Sequence, residues 1–119
     1  MSRELFDFEN LEVYKKALDF VGLIYEITKK FPVEERYSLL DQFRRAAVSI
    51  CLNIAEGSAG SRSEFIQFIK ISRRSARECI AITTISRRRN YIGMNTEELM
   101  REKCVELSKM TMGLIKSLK

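Results

Sequence analysis

With one proline and five glycines in 119 residues, this chain has few places where its backbone can turn cheaply. Many short strands need frequent turns rich in those two residues, whereas long helices do not. The sparse punctuation therefore predicts an all-α chain of a few long helices. Pro32 and the run "GSAGS" at 57–61 mark two of the breaks, and Gly93 marks a third.

The hydrophobic pattern fills the intervals. A first helix is expected over residues 11–30, capped by Asn10, with Tyr14, Ala17, Leu18, Val21, Ile24, Tyr25 and Thr28 recurring at helical spacing. A second is expected over 34–56, where Glu34 and Glu35 suit the positive end of the helix dipole and Gly57 provides the stop. Ser61 and Glu64 have the spacing of a capping box for a third helix over 62–91. Asn95 and Glu98 repeat that spacing before a fourth over 96–118. Short connections make consecutive long helices antiparallel, so residues 1–119 are expected to form one domain, an up-down-up-down four-helix bundle.

Two wheels carry more apolar surface than one core needs. On the second helix Leu39, Leu40, Phe43, Ala47, Val48, Ile50, Cys51, Ile54 and Ala55 sweep a wide arc. Arg44 falls inside it and must snorkel or meet a carboxylate. The opposite arc gathers Gln42, Arg45, Ser49, Asn53 and Glu56, a polar seam that orients helices or subunits and lacks a nucleophile with a base beside it. On the third helix Ile71, Ile82 and Ile85 form a band apart from the core stripe, which predicts an oligomer interface.

Charge is concentrated. Between Arg62 and Arg89 eight basic residues stand against two acidic ones, and the remainder is close to neutral although the whole chain carries +5. Lys70, Arg73, Arg74, Arg77, Arg87 and Arg88 are the candidate nucleic-acid-binding residues. Guanidinium forks match phosphates well, and a basic stripe along several helical turns is the footprint of phosphate binding to RNA or DNA.

Enzyme chemistry finds little purchase. Histidine is absent, no phosphate-binding GxxxxGK[ST] loop occurs, and the three cysteines Cys51, Cys79 and Cys104 form no CxxC pair. No catalytic residue, metal site or cofactor is expected. No apolar run approaches the roughly 18 residues a membrane span requires, and "MSRELFDFEN" lacks the regions of a signal peptide. The expected location is the cytoplasm, with the cysteines as buried free thiols.

The words themselves point further. Phe8, Leu11, Val13, Tyr14, Lys16 and Ala17, then the stretch from Glu35 to Gly57 containing "QFRRAAVSICLNIAEG", then Phe65, Phe68, Ile69, Ile71, Ser72 and Ser75, follow a shared pattern. In these residues the chain resembles the 23S rRNA-intervening-sequence proteins. The resemblance implies an up-and-down bundle assembled into a ring, typically a homopentamer, without catalysis. One branch, the accessory variability determinants of diversity-generating retroelements, is basic, binds nucleic acid and associates with a reverse transcriptase. Two positions depart from the pattern: Cys51 and Leu52 stand where relatives have proline and serine, and Arg74 stands at a usual glycine. The resulting expectation is a non-enzymatic, homo-oligomeric, nucleic-acid-binding bundle. The alternative is a protein-interaction scaffold that docks a partner such as a reverse transcriptase.

Overall fold

The computed structural model describes residues 4–119 and contains four helices: α1 (Glu12–Thr28), α2 (Leu39–Gly57), α3 (Arg62–Arg88) and α4 (Met94–Leu118). Single 3-10 turns at Asp7–Asn10 and Val33–Glu35 precede α1 and α2, and no strand occurs among the described residues. At about 1.5 Å per residue the 27 residues of α3 run nearly the whole of the 42 Å long dimension. None of the helices is long and apolar enough to cross a membrane, among the described residues.

Contacts between residues far apart in sequence fix the topology. Ser72 Oγ donates to Ile50 O at 2.7 Å and Ser75 Oγ to Ser49 Oγ at 2.9 Å, so α2 and α3 run antiparallel. Arg73 meets Ser108 while Arg87 meets Glu97, which sets α4 antiparallel to α3. Arg44 on α2 reaches Thr28 at the end of α1, and Lys16 of α1 faces Glu106 of α4. The helices therefore pack around a square in the order α1, α2, α3, α4, and the α1–α4 seam is the lightest of its four sides.

The core follows from the apolar stripes. Phe20, Ile24, Phe43, Ile50, Ile54, Met100 and Leu107 are fully buried, and Ala17, Ala47 and Ala76 let the helices approach closely. Ser72 spends its buried hydroxyl on α2, whereas four other buried hydroxyls are satisfied within their own helices. Thr28 donates to Ile24 O at 2.6 Å, Thr83 to Cys79 O at 2.7 Å, Ser86 to Ile82 O at 2.8 Å and Thr111 to Leu107 O at 2.8 Å.

Helix ends show where local signals held. Ser61 Oγ accepts from Glu64 N at 3.2 Å and Glu64 Oε1 accepts from Ser61 N at 2.8 Å, a complete capping box opening α3. The second helix begins at Leu39 rather than residue 34, because Glu35 serves another purpose: its carboxylate accepts from Leu39 N at 3.3 Å and from Tyr91 Oη at 2.6 Å. That contact ties the α1–α2 connection to the α3–α4 connection at one end of the bundle. Asn10 and Asn95 do not cap; α1 and α4 start after Leu11 and Gly93 without side-chain caps.

Two glycine roles also differ from expectation. The third helix stops at Arg88, before Gly93, through Asn90 in the left-handed region at φ 63°. Tyr91 N then donates to Ser86 O at 2.9 Å and Asn90 N to Arg87 O at 3.1 Å, the paired bonds of a Schellman ending. Gly57 ends α2 but not by taking a positive φ. A β-carbon there would lie 2.5 Å from Phe68 Cβ and 3.0 Å from Phe65 Cδ1, so this glycine is what lets α2 and α3 meet at the turn.

Candidate nucleic-acid interface

Because Ser72, Ala76, Cys79 and Thr83 on the inward side of α3 are small and buried, α3 nests closely against its neighbours. Its basic residues are then set beside α4. Lys70, Arg73, Arg74, Arg77 and the α4 residue Ser108 line a concavity of ≈ 240 Å³. A second concavity of ≈ 360 Å³ adjoins it, lined by Arg73, Ser108, Lys109, Met112, Gly113 and Lys116. No carboxylate lines either one. Six cationic side chains from two helices thus face one groove, and a concave wall of single-sign charge focuses the field felt by an approaching anion.

Arg73 and Ser108 are common to both concavities. The Arg73 guanidinium spans between the helices and donates through Nη2 to Ser108 Oγ at 3.4 Å. Its Nε is shielded from solvent and has no hydrogen-bond partner among the described residues.

The structure separates the six residues expected from sequence. Lys70, Arg73, Arg74 and Arg77 come together. Arg87 is turned away from this role by Glu97 of α4, whose carboxylate lies 3.7 Å from its Nε in an ion pair. Arg88 is exposed but lies eleven residues beyond Arg77, about 16 Å along the helix. Lys109 and Lys116 were not anticipated. Their signal was present, since residues seven apart share a helix face, but nearby Glu102 and Glu106 make the α4 sequence look neutral.

The polar seam of α2 occupies a different face. Asn53 Nδ2 donates to Ser49 O at 2.8 Å and to Ser49 Oγ at 3.0 Å. Arg45 Nε pairs with Asp41 at 3.1 Å, and Gln42 and Glu56 are exposed. Arg45, Ser49, Asn53 and Glu56 line an open groove of ≈ 670 Å³ together with Tyr25, Tyr37, Leu40, Val48 and Leu52. Among the described residues Arg44 meets no carboxylate. Its guanidinium lies 4.3 Å from the centre of the Tyr25 ring, Nε donates to Thr28 Oγ1 at 2.9 Å and Nη2 to Tyr25 O at 3.4 Å, so the cation covers the negative end of α1.

The isoleucine band divides. Ile82 is 2% exposed and belongs to the chain's own core, because the α3 stripe turns far enough along the helix to carry it inward. It is therefore not available as an interface residue, whereas Ile71 and Ile85 are 42% and 47% exposed. The three cysteines are buried free thiols. Burial raises Cys51 to about 11 and Cys104 to about 12, and pushes Cys79 up as well, with Cys104 and Glu78 adding to the effect. Among the described residues no group of three His, Cys, Asp or Glu side chains could hold a metal ion.

Fold and site together define an antiparallel four-helix protein with an unneutralised basic groove between its last two helices. Residues 9–113 match the family model of the 23S rRNA-intervening sequence protein, and the chain belongs to that family. Its fold is similar to the crystal structure of a protein of unknown function from the S23 ribosomal protein family of Bacteroides thetaiotaomicron VPI-5482. That likeness has a TM-score of 0.80 and 27% identity, covering 87% of this chain and 95% of the other. No curated protein matches the chain.

Proposed function

We propose that this protein is a non-enzymatic nucleic-acid-binding protein that holds RNA or DNA through phosphate contacts along the α3–α4 groove. The carrying observation is the gathering of Lys70, Arg73, Arg74, Arg77, Lys109 and Lys116 around two adjoining concavities that no carboxylate neutralises. The family's description as 23S rRNA-intervening sequence proteins supports RNA as the first ligand to try. Phosphate binding of this kind loses affinity linearly on a log–log salt scale, with a slope of about −0.7 to −0.9 per neutralised phosphate.

The test is fluorescence anisotropy with labelled RNA and DNA oligonucleotides across a salt series. The wild type is expected to bind with a steep slope, and the pair Arg74→Glu and Arg77→Glu, both exposed, is expected to abolish binding while leaving helicity intact. Absent binding, or binding that ignores salt, would overturn the reading.

A second surface supports protein contact. The α2 groove exposes Tyr37 at 87% and Leu52 at 56%, and Ile71 and Ile85 are exposed on α3. We read these faces as contacts within a homo-oligomeric ring, a pentamer on the family resemblance, or with a cytoplasmic partner such as a reverse transcriptase. Light scattering tests the ring, and a monomer mass at micromolar concentration would count against it. Retention of a purified reverse transcriptase after nuclease treatment would favour the scaffold alternative.

A further inference from the structure

We infer that the α3–α4 groove seats a single phosphodiester backbone, which passes over Gly113 with Arg73 and Arg77 on one bank and Lys109 and Lys116 on the other. This rests on the nucleic-acid reading above and specifies how the ligand lies.

Length argues for a chain rather than an isolated anion. Arg73 and Ser108 mark the level where the antiparallel helices meet. From there Arg77 lies four residues along α3 and Lys116 eight residues along α4, in opposite directions of the same axis. At about 1.5 Å per residue the cations are spread over about 18 Å, the rise of roughly five nucleotides at 3.4 Å each. One phosphate cannot use charges so far apart.

Gly113 supplies the second observation. A glycine inside a helix weakens it, and packing usually explains why one is kept. Packing explains Gly57 but not Gly113, where an added β-carbon meets nothing within 4 Å. Of the two unpacked helical glycines, Gly113 is the one bordered by lysines, Lys109 and Lys116, and it lines the basic concavity. The missing side chain leaves an open floor where a ligand can approach the α4 backbone. No aromatic residue lines either concavity, so the groove offers no stacking platform and grips the backbone without reading bases. The backbone could come from a single strand or from one edge of a duplex, since both present the same phosphodiester chemistry.

Gly113→Leu tests this without changing any charge. The added β-carbon meets open space at an exposed position and a strong helix former replaces glycine, so the fold is expected to survive, as helicity and unchanged mass would verify. Single-stranded and duplex oligonucleotides of equal length are titrated by anisotropy over a salt series. The variant is expected to bind at least one of them about tenfold more weakly, with a salt slope shallower by about one to two. The form that loses affinity is the form that enters the groove. Lys109→Gln with Lys116→Gln is expected to give a similar loss of slope. Binding within twofold of wild type and an unchanged slope for Gly113→Leu on both ligands would overturn the inference. If Arg74→Glu with Arg77→Glu still abolished binding, the nucleic-acid reading would stand and only the seating over Gly113 would fall. If that pair had no effect, the underlying reading itself would fail.

Discussion

Replacing Gly57 by alanine separates two roles that a glycine at a helix end can play. Were Gly57 there only to stop α2, alanine would cost little, since its φ is not positive and alanine is the better helix former by up to about 1 kcal/mol. The structure predicts the opposite sign. The new methyl would sit 2.5 Å from Phe68 Cβ and 3.0 and 3.1 Å from Phe65 Cδ1 and Phe68 Cγ, against a comfortable carbon–carbon separation of about 3.5–4.0 Å. Phe68 Cβ is fixed to its backbone and cannot rotate aside, so the start of α3 must move off the end of α2 by about an ångström at that contact. Forcing an extra methyl into a packed site costs about 1–3 kcal/mol, more than the propensity gain returns at a helix terminus. Urea unfolding followed by helical circular dichroism, at fixed protein concentration, measures the difference, with Gly113→Ala as the control. That variant meets nothing within 4 Å and is expected to gain about 0.5–1 kcal/mol. If Gly57→Ala is as stable as wild type or more so, the close approach of α2 and α3 is not what requires the glycine, and the reasoning fails.

Three further outcomes follow from the same geometry. Asn90→Ala is expected to cost about 1–2 kcal/mol in unfolding experiments, because a side chain without Asn's local hydrogen bonding is strained at φ 63°, whereas Asn90→Gly should be neutral or stabilising. Glu35 is held below its usual 4.5 chiefly by the hydrogen bond from Tyr91 and then by that from Leu39. A carboxyl depressed in the folded state stabilises above its unfolded pKa and loses that contribution as the pH falls through the folded one. Stability should therefore drop below about pH 4.5 more steeply in wild type than in Glu35→Gln, as denaturation midpoints across an acid series would show. The buried, proton-retaining thiols of Cys51, Cys79 and Cys104 should react slowly with a thiol reagent at pH 8 in the native protein and rapidly in denaturant; fast native labelling would contradict their burial.

How much of this was legible in the sequence depended on the range of the interaction. The four helices, the Ser61–Glu64 box and the gathering of Lys70, Arg73, Arg74 and Arg77 rest on residues a few positions apart, and spacing suffices to place them. Glu34 and Glu35 have the composition of a first helical turn, so local pattern starts α2 earlier than Leu39. What recruits Glu35 is Tyr91, 56 residues away, and no local pattern reveals it. Sequence likewise puts Arg87 among the candidate nucleic-acid-binding residues, because its partner Glu97 is brought up only by the α3–α4 turn. A straight wheel sets Ile82 apart from the core stripe because a single helix cannot say how far two neighbours wrap around it. Two of the six cations of the candidate groove, Lys109 and Lys116, lie in a segment whose charges balance in sequence and separate only in space.

The thin seam between α1 and α4 has a dynamic consequence. It is lined partly by charge, with Lys16 at 4.0 Å from Glu106 and a gap of ≈ 180 Å³ bordered by Asp19, Phe20, Leu99 and Lys103. The α2–α3 and α3–α4 seams are far more extensive. Helices do not open with equal ease when their borders differ in this way. The lightest border of the square runs between α1 and α4, so α1 has less packing to lose on opening than α2, α3 or α4. Native-state hydrogen exchange should show the α1 amides trading their protons ahead of the rest, with α3 the last to yield. The groove proposed to hold nucleic acid would then lie on the part of the molecule expected to breathe least.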